Sequence, residues 1–274
     1  MELTKEKIVN QEMNLRENAV RQGSRINLAL FNYCFLVYYY LIKEIKKNAH
    51  YASGVLLDVG CGNTPFQEYF LKYIKKYLKH EHPAAAKKNI TYDYLSELPA
   101  LNVPDSSVNT IVSFAVLEHV SEPFETIKEF YRILKTNGIF MIYVPQYWHL
   151  HEEPHDYLRF TKYILQEKIR EKSFEILYMK GIGKSFAIAG QALCNALVLM
   201  FDLNHVKNIF ALLKGEKPTG VLNSLIYTIC KLPLILLSVL LIPVINLTFL
   251  ALDLLLGSEK DTIGYFVIAR KISN

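Results

Sequence analysis

The chain has few cysteines and no dense run of basic residues. Its four cysteines, at positions 34, 61, 194 and 230, are scattered over 274 residues without a C-x-x-C pair. This spacing argues against a disulfide framework and against a cysteine-based metal site, so we predict reduced, mostly buried thiols in a cytosolic compartment. The formal net charge of +5 is modest. It argues against nucleic-acid binding and is compatible with a mild attraction to an anionic membrane surface.

The N-terminal 50 residues predict helices. The first 22 are polar and charged, so we expect a polar helix and no signal peptide. Residues 25–47 are apolar and aromatic and then basic, which favours a helix packed on the main domain. A helix lying on a membrane surface is the alternative.

The most informative stretch is residues 55–66, VLLDVGCGNTPF. A β-branched and apolar run carries one acid, Asp58, and then breaks at Gly60 and Gly62. Glycines allow a tight turn and a close approach of backbone to ligand, where a Cβ would clash. The pattern is typical of a nucleotide-binding βα unit, although a plain turn without a ligand is the alternative.

Alternating strands and helices predict a doubly wound, mostly parallel α/β sheet. We predict helices at about 66–79, 123–135 and 161–172, and strands at 55–60, 89–94, 109–115, 139–144, 174–179 and 264–270. Pro65 suits the first turn of the first helix, and Thr161 is the expected N-cap of the third. Asn137-Gly138 is the expected stop of the second helix.

Four segments follow one another in a characteristic order: LLDVGCGNTPF (56–66), LNVPDSSVNTIVSFAVLEHVSEP (101–123), EFYRILKTNGIFMIYVP (129–145) and YFVIARK (265–271). Together they resemble the class I S-adenosylmethionine-dependent methyltransferases, in their broad type 11 branch. The resemblance implies a Rossmann-like sheet whose last strand is antiparallel, with S-adenosyl-L-methionine as the cofactor. Pro65 stands where a dinucleotide fingerprint has its third glycine, which disfavours a nicotinamide oxidoreductase.

The resemblance also implies where the cofactor binds. The turn Gly60-Cys61-Gly62 would pass beneath the methionine and ribose, and Asp58 would orient that turn or reach the methionine ammonium. An acid at the end of strand 2 would bind the ribose hydroxyls, and Asp93 is the candidate. An acid nearer strand 3 would face the adenine amine, and that place falls on Glu97. The short link between these strands departs from the family, so one acid could serve both roles.

Two further segments predict the acceptor side of the site. AVLEHV (115–120) follows strand 4, and the resemblance places Glu118 beside the cofactor and His119 near the reacting atoms. Residues 148–161, WHLHEEPHDYLRFT, resemble the H-E-x-P-H-D-Y-x-R-x-T loop of a subgroup associated with envelope polysaccharide or glycolipid pathways.

In this loop His151 or His155 is a candidate general base and Arg159 a candidate clamp for an anionic group. An alternative is that Asp156 and Arg159 simply brace the loop. The spacing of the histidines matches no common zinc pattern, so we predict no metal site. Methyl transfer needs alignment more than acid–base help, so a catalytic base can also be absent.

A strongly apolar insertion precedes the last strand. Residues 185–201 and 232–252 carry no charge, and the second stretch is long enough as a helix, about 30 Å, to span a bilayer. One crossing would separate the last strand from its sheet, and two would place Lys207, Lys214 and Lys217 outside, against the positive-inside tendency. Because Pro233 and Pro243 also interrupt the second stretch, we predict a monotopic insertion into the cytoplasmic leaflet. A soluble helical subdomain or a partner interface are the alternatives.

The sequence therefore predicts three parts. Residues 1–50 form an N-terminal helical segment, residues 51–183 with 261–274 form the methyltransferase domain, and residues 184–260 form the membrane-associated insertion. The predicted function is methylation of a small or lipid-linked acceptor at the inner face of the membrane. The alternative is a catalytically inactive scaffold of the same fold that docks at the membrane.

Overall fold

A computed structural model of the chain describes residues 29–200, 212 and 221–272. The predicted polar helix over residues 1–22 and the three lysines of the insertion at 207, 214 and 217 lie outside these residues. The strands are β1 Val55–Val59, β2 Lys76–Glu81, β3 Tyr94–Leu95, β4 Val108–Phe114, β5 Leu134–Pro145, β6 Phe174–Ile182 and β7 Gly264–Lys271. The helices are α1 Phe35–Asn48, α2 Pro123–Ile133, α3 Lys162–Glu171, α4 Ser185–Leu199 and α5 Val221–Leu256.

The seven strands form one sheet in the order β3-β2-β1-β4-β5-β7-β6. The first five pair in parallel, whereas β7 runs antiparallel to both β5 and β6. This confirms the predicted mostly parallel sheet with an antiparallel last strand. The strand order reverses between β1 and β4, and open α/β sheets bind their ligands at such a switch point.

The central strands are buried because helices cover a parallel sheet on its faces. Their apolar side chains form the main core with α2 and α3, including Leu57, Ile111, Phe130, Phe140, Leu165 and Val267. Helix α1 is tied to β6 through Glu44, whose carboxylate accepts hydrogen bonds from Tyr178 Oη and Lys180 Nζ, both at 2.8 Å. The prediction of a helix packed on the main domain is therefore confirmed for the sheet-side end of α1.

The segment between β1 and β2 differs from the prediction. Residues 60–75 form turns and one short 3-10 helix, Gln67–Tyr69, and the strand that pairs with β1 is Lys76–Glu81. The predicted helix at 66–79 and strand at 89–94 are both wrong. Phe66, Phe70 and Ile74 have helical spacing, but pairing of the following residues with β1 decides the structure.

The end of α2 also differs from the prediction. This helix ends at Ile133 and β5 begins at Leu134, so Asn137, with a φ of +60°, lies inside a strand instead of stopping the helix. Helix α3 follows Thr161 as predicted, although the threonine side chain makes no capping hydrogen bond.

The chain divides into two compact units. The sheet unit contains Tyr40–Ile182 and the described residues from Thr262 onward. The helical unit contains Gly183–Asp261 and the described residues up to Tyr39. The division into three parts, with boundaries at residues 50, 183 and 260, stays a prediction. The membrane role assigned to the insertion remains a prediction.

Inside the helical unit, α4 and α5 pack closely. A Cβ added at Gly190 of α4 would lie 2.5 Å from Phe249 Cβ of α5, so glycine permits this approach. Asp253 of α5 is buried, and its carboxylate accepts hydrogen bonds from the backbone N–H groups of Lys184 and Ala187 at the start of α4. Helix α5 continues through Pro233 and Pro243, so the predicted interruption at these prolines is wrong.

Candidate functional site

The turn after β1, here called the glycine turn (Gly60–Gly62), needs its two glycines for different reasons. Gly60 has a φ of +69°, and an added Cβ would lie 2.5 Å from Val116 Cγ2. Gly62 has a φ of +52°, but no described atom lies within 4 Å of an added Cβ. The first glycine is therefore required by packing within the protein. The second leaves open space beside the backbone, as a ligand cradle requires.

A buried acid that the sequence analysis missed supports this turn. Glu81 ends β2, and its Oε2 accepts a hydrogen bond from the backbone N–H of Gly62 at 2.7 Å. Its Oε1 accepts from the backbone N–H of His82 at 2.9 Å. Because a carboxylate can accept about four hydrogen bonds, Glu81 keeps capacity for ligand hydroxyls.

The premise for Asp93 is wrong, because this residue precedes β3 and does not end β2. It is exposed, and its carboxylate accepts a hydrogen bond from the backbone N–H of Lys79 at 2.9 Å. Glu97 is exposed and follows β3 by two residues, near the carboxyl end of that strand. The residues linking β2 to β3, positions 82–93, contain turns and bends. The short link of the prediction followed residues 89–94, so it does not correspond to this segment.

Asp58 on β1 is buried and accepts a short hydrogen bond from Tyr77 Oη of β2. Burial raises the pKa of Asp58 to about 7, with the tyrosine bond acting in the opposite direction. Cys61 is also buried, and burial raises the pKa of its thiol well above the usual value. The thiol is therefore protonated, and the cofactor contacts of the glycine turn would come from its backbone.

The chain after β4 forms a short 3-10 helix, Leu117–His119. Glu118 is 1% exposed, and burial raises the pKa of its carboxyl to about 8. Its Oε2 has no hydrogen-bond partner among the described residues. The backbone oxygen of Glu118 accepts from the N–H of Tyr157 at 2.9 Å, which joins this segment to the loop after β5.

That loop, here called the histidine loop (residues 146–161), is braced by one ion pair. The Asp156 side chain is 1% exposed, and Arg159 Nη1 and Nη2 donate to its two oxygens at 2.6 and 2.7 Å. The same guanidinium donates to the backbone oxygens of Trp148, His149 and Leu158. Arg159 holds the pKa of Asp156 well below its usual range. All five donors of Arg159 act within the loop, so the geometry favours bracing over clamping an anion.

The candidate histidines fall into two groups. His119 and His151 lie together, with ring centroids 4.5 Å apart, and with Glu118 they offer donor atoms within 4.8 Å of one another. His155 is exposed, and its Nδ1 lies 3.0 Å from Tyr157 Oη. The structure thus unites His119 and His151 beside Glu118 and does not include the His155 ring in that cluster.

Comparisons with known proteins agree with this fold. Residues 57–142 match the family model of a methyltransferase domain. A protein of Mycolicibacterium smegmatis named "probable S-adenosylmethionine-dependent methyltransferase" is 27% identical over 110 residues, which cover 36% of this chain and 42% of that protein. The chain therefore aligns with less than half the length of this curated relative.

Two solved structures are similar to this chain, and the likeness of fold rests on the first of them. The cyclase SpnF has a TM-score of 0.50 and 16% identity, over 85% of this chain and 80% of its own. Phosphoethanolamine N-methyltransferase 2 of Haemonchus contortus, in complex with S-adenosyl-L-methionine, has a TM-score of 0.45 and 13% identity, over 81% of this chain and 49% of its own. The sheet order and the glycine turn agree with the matched segment, so residues 57–142 lie in a domain of the class I methyltransferase type, whose cofactor is S-adenosylmethionine.

Proposed function

We propose that this chain transfers a methyl group from S-adenosylmethionine to a small or lipid-linked acceptor at the cytoplasmic face of a membrane. The methyltransferase part of this proposal rests on one observation, which is that two neighbouring elements at the proposed cofactor site are bonded to each other. The open glycine turn after β1 and a buried acid at the end of β2 are joined by one hydrogen bond, from Gly62 N–H to Glu81 Oε2. Both stand where an open parallel sheet binds its ligand.

In this proposal Glu81 takes the role first given to Asp93. A carboxylate at the end of the strand next to the glycine turn is placed to accept hydrogen bonds from both ribose hydroxyls. Asp58 binds the methionine ammonium, Gly60 and Gly62 give the turn its conformation, and Cys61 contacts the cofactor through its backbone groups. Glu97, just past β3, stays the candidate for the adenine amine.

The acceptor half of the proposal rests on the segment after β4 and the histidine loop. The sulfonium of the cofactor is already a good leaving group, so the protein mainly aligns the acceptor and excludes water. His119 and His151 are partly buried and lie together. They are the groups best placed to meet an acceptor. Arg159 positions the loop, and the exposed His155 is the weaker candidate for a base.

The membrane half rests on the surface of α5. By length and composition alone, Leu222–Leu256 could cross a bilayer, a criterion that buried core helices of soluble proteins also meet. Here, however, only 17% of the most apolar window is buried. The large exposed side chains include Leu225, Ile229, Leu236, Leu240, Val244 and Leu255. So much contiguous apolar surface is unusual on a soluble monomer and calls for lipid or a partner to cover it.

Calorimetric titration of the detergent-purified chain with S-adenosylhomocysteine tests the catalytic half, with NADH as the control ligand. We expect micromolar binding of S-adenosylhomocysteine alone. Binding of neither ligand would overturn the enzymatic proposal and leave the docking scaffold as the better account.

Vesicle flotation tests the membrane half. We expect the wild-type chain to float with liposomes of phosphatidylcholine and phosphatidylglycerol. A double variant, Leu240→Asp with Val244→Asp, should stay in solution, because both side chains are more than half exposed on α5. Tyr163→Asp is the matched control, since Tyr163 is exposed on α3 in the sheet unit. A wild-type chain that stays in solution as a dimer, and a double variant that is monomeric, would instead assign the surface to a protein interface.

A further inference from the structure

Three side chains from two separate parts of the chain form a cluster with the composition of a metal site. Glu118 and His119 come from the 3-10 helix after β4, and His151 comes from the histidine loop. One donor atom from each lies within 4.8 Å of the others. Two imidazole nitrogens with one carboxylate oxygen are a ligand set that zinc and related divalent cations take in sites with an open fourth position.

Hydrogen bonds already fix the tautomers of both rings. His119 Nδ1 lies 2.8 Å from the backbone oxygen of His155, and a carbonyl can only accept. His151 Nδ1 lies 3.2 Å from the backbone oxygen of His149 and 3.2 Å from Asp156 Oδ2, which are also acceptors. In each neutral ring Nδ1 therefore carries the proton and Nε2 the lone pair. Metal-bound histidines are usually held by such outer hydrogen bonds to a carbonyl or a carboxylate.

Glu118 supplies the independent observation. Its side chain is almost fully buried, yet Oε2 has no hydrogen-bond partner among the residues described. An unsatisfied buried carboxyl oxygen is costly, and such an atom in a native fold calls for a partner. A bound cation beside the two histidines would be that partner.

We propose that Glu118, His119 and His151 bind one divalent cation of the zinc class. Ligand atoms of a tetrahedral zinc site lie about 3.3 Å apart, so binding would draw the side chains together. The partial exposure of both rings leaves room for this movement and for entry of the ion. The prediction of no metal site considered only the spacing of histidines within one loop, whereas the cluster joins that loop to the segment after β4.

Such an ion would extend the proposed function without depending on it. An open fourth position would take an oxygen of the acceptor, and coordination to zinc lowers the pKa of a bound hydroxyl. This role applies if the chain methylates an oxygen, whereas the binding site itself can be tested without any acceptor.

The test is zinc binding by the full-length chain, stripped with EDTA and titrated with Zn²⁺ against a chromogenic chelator. We expect one tight zinc per wild-type chain. Loss of a ligand in His151→Ala or Glu118→Gln should weaken it more than about 100-fold, since outer-shell changes alone cost about 10- to 100-fold. His50→Ala is the control, because His50 is an exposed histidine outside the cluster, and this variant should bind zinc as the wild type does.

Two results would overturn the site. One is a wild-type chain without tight zinc, and the other is zinc that survives both His151→Ala and Glu118→Gln. Circular dichroism and urea denaturation of each variant report that it is folded, independently of any cofactor contact by Glu118. Failure of zinc binding with intact binding of S-adenosylhomocysteine would leave the proposed methyltransferase function standing.

Discussion

The glycine turn and the histidine loop, proposed here as the cofactor side and the acceptor side of one site, are built from different chemical groups. In the glycine turn the determining features are backbone conformation, open space beside Gly62 and one buried carboxylate, Glu81. In the histidine loop they are side chains, with the Asp156–Arg159 pair organising the imidazoles around it. In the proposed function, backbone groups would recognise the cofactor, which all members of such a family share. Side chains would recognise the acceptor, which differs from one member to another.

Substitution of Gly60 is expected to have the largest effect on the glycine turn. Gly60→Ala would place a methyl group 2.5 Å from Val116 in a left-handed conformation, and we expect a cost of about 2–4 kcal/mol in the free energy of unfolding. Affinity for S-adenosylhomocysteine should fall more than about 100-fold, as the turn is displaced.

Gly62→Ala is the control for the cost in unfolding alone, because its methyl group would enter the open space proposed to receive the cofactor. We expect a cost in unfolding of only about 1 kcal/mol, from backbone strain. Urea denaturation and calorimetry measure the two effects separately. Wild-type affinity in Gly60→Ala would contradict the importance of this turn.

The next largest effect tests the acid that supports the turn. Glu81→Gln replaces one acceptor oxygen with a donor amide, which faces a backbone N–H of Gly62 or His82. Hydrogen bonds to a charged group contribute about 1.5–3 kcal/mol, so affinity for S-adenosylhomocysteine should fall about 10- to 100-fold. Asp93→Asn should bind normally, and a larger loss in this variant would return the ribose role to Asp93.

The histidine loop is tested at Arg159. Arg159→Ala leaves the buried Asp156 carboxylate without its ion partner, which we expect to cost about 2–3 kcal/mol in unfolding. Activity should fall about 10-fold or more, while affinity for S-adenosylhomocysteine changes less than about twofold, because only the acceptor side is disturbed.

Arg270→Ala is the matched control, since its partner Glu175 is half exposed and such pairs contribute less than about 1 kcal/mol. A parallel loss of cofactor affinity in Arg159→Ala would show that the two regions are not separate.

The mildest test is the pH dependence of cofactor binding. Burial raises the pKa of Asp58 to about 7, from an ordinary value of 3.8. If the ionised form receives the methionine ammonium, affinity for S-adenosylhomocysteine should rise about tenfold from pH 6 to pH 8. The dependence should vanish in Asp58→Asn.

Stability should move in the opposite direction. The unfolded carboxyl ionises near pH 4 and the folded one near pH 7, so the folded state loses stability as pH rises between these values. Relative to Asp58→Asn, we expect a decrease on the order of 3 kcal/mol in the free energy of unfolding. Urea denaturation at pH 4.5 and 7.5 measures it, and a constant difference between the two proteins would refute the raised pKa.

The parts of the fold that could be predicted are those where local pattern and tertiary burial agree. Strands β1, β4, β5 and β7 carry long apolar runs because they are buried, and their sequences show this directly. Strand β2 was missed because KYLKHE mixes charge with apolar residues and follows a segment with helical spacing. Its acid at the strand end was therefore missed too, although Leu78 and His80 alternate with polar neighbours and offered a signal.

The parts of the site that lie in one continuous segment could be predicted from the sequence. The parts that the fold brings together from distant segments could not. The glycine turn is contiguous, so VLLDVGCG was sufficient to find it. The cluster of Glu118, His119 and His151 joins residues far apart in the chain, and no spacing rule could connect them. The two prolines of α5 were misjudged because a proline removes one backbone hydrogen bond and can kink a helix without ending it.

The carboxylate of Asp253 determines how easily α4 and α5 can separate from each other. It receives the backbone N–H groups that begin α4 while it belongs to α5, and Gly190 lets the two helices touch. Separating them would leave an anion and several donors without partners in an apolar setting, which is far more costly than keeping them together. If the helical unit enters a lipid phase, α4 and α5 would therefore do so as a preassembled pair, in a single cooperative step, and not as two independent anchors.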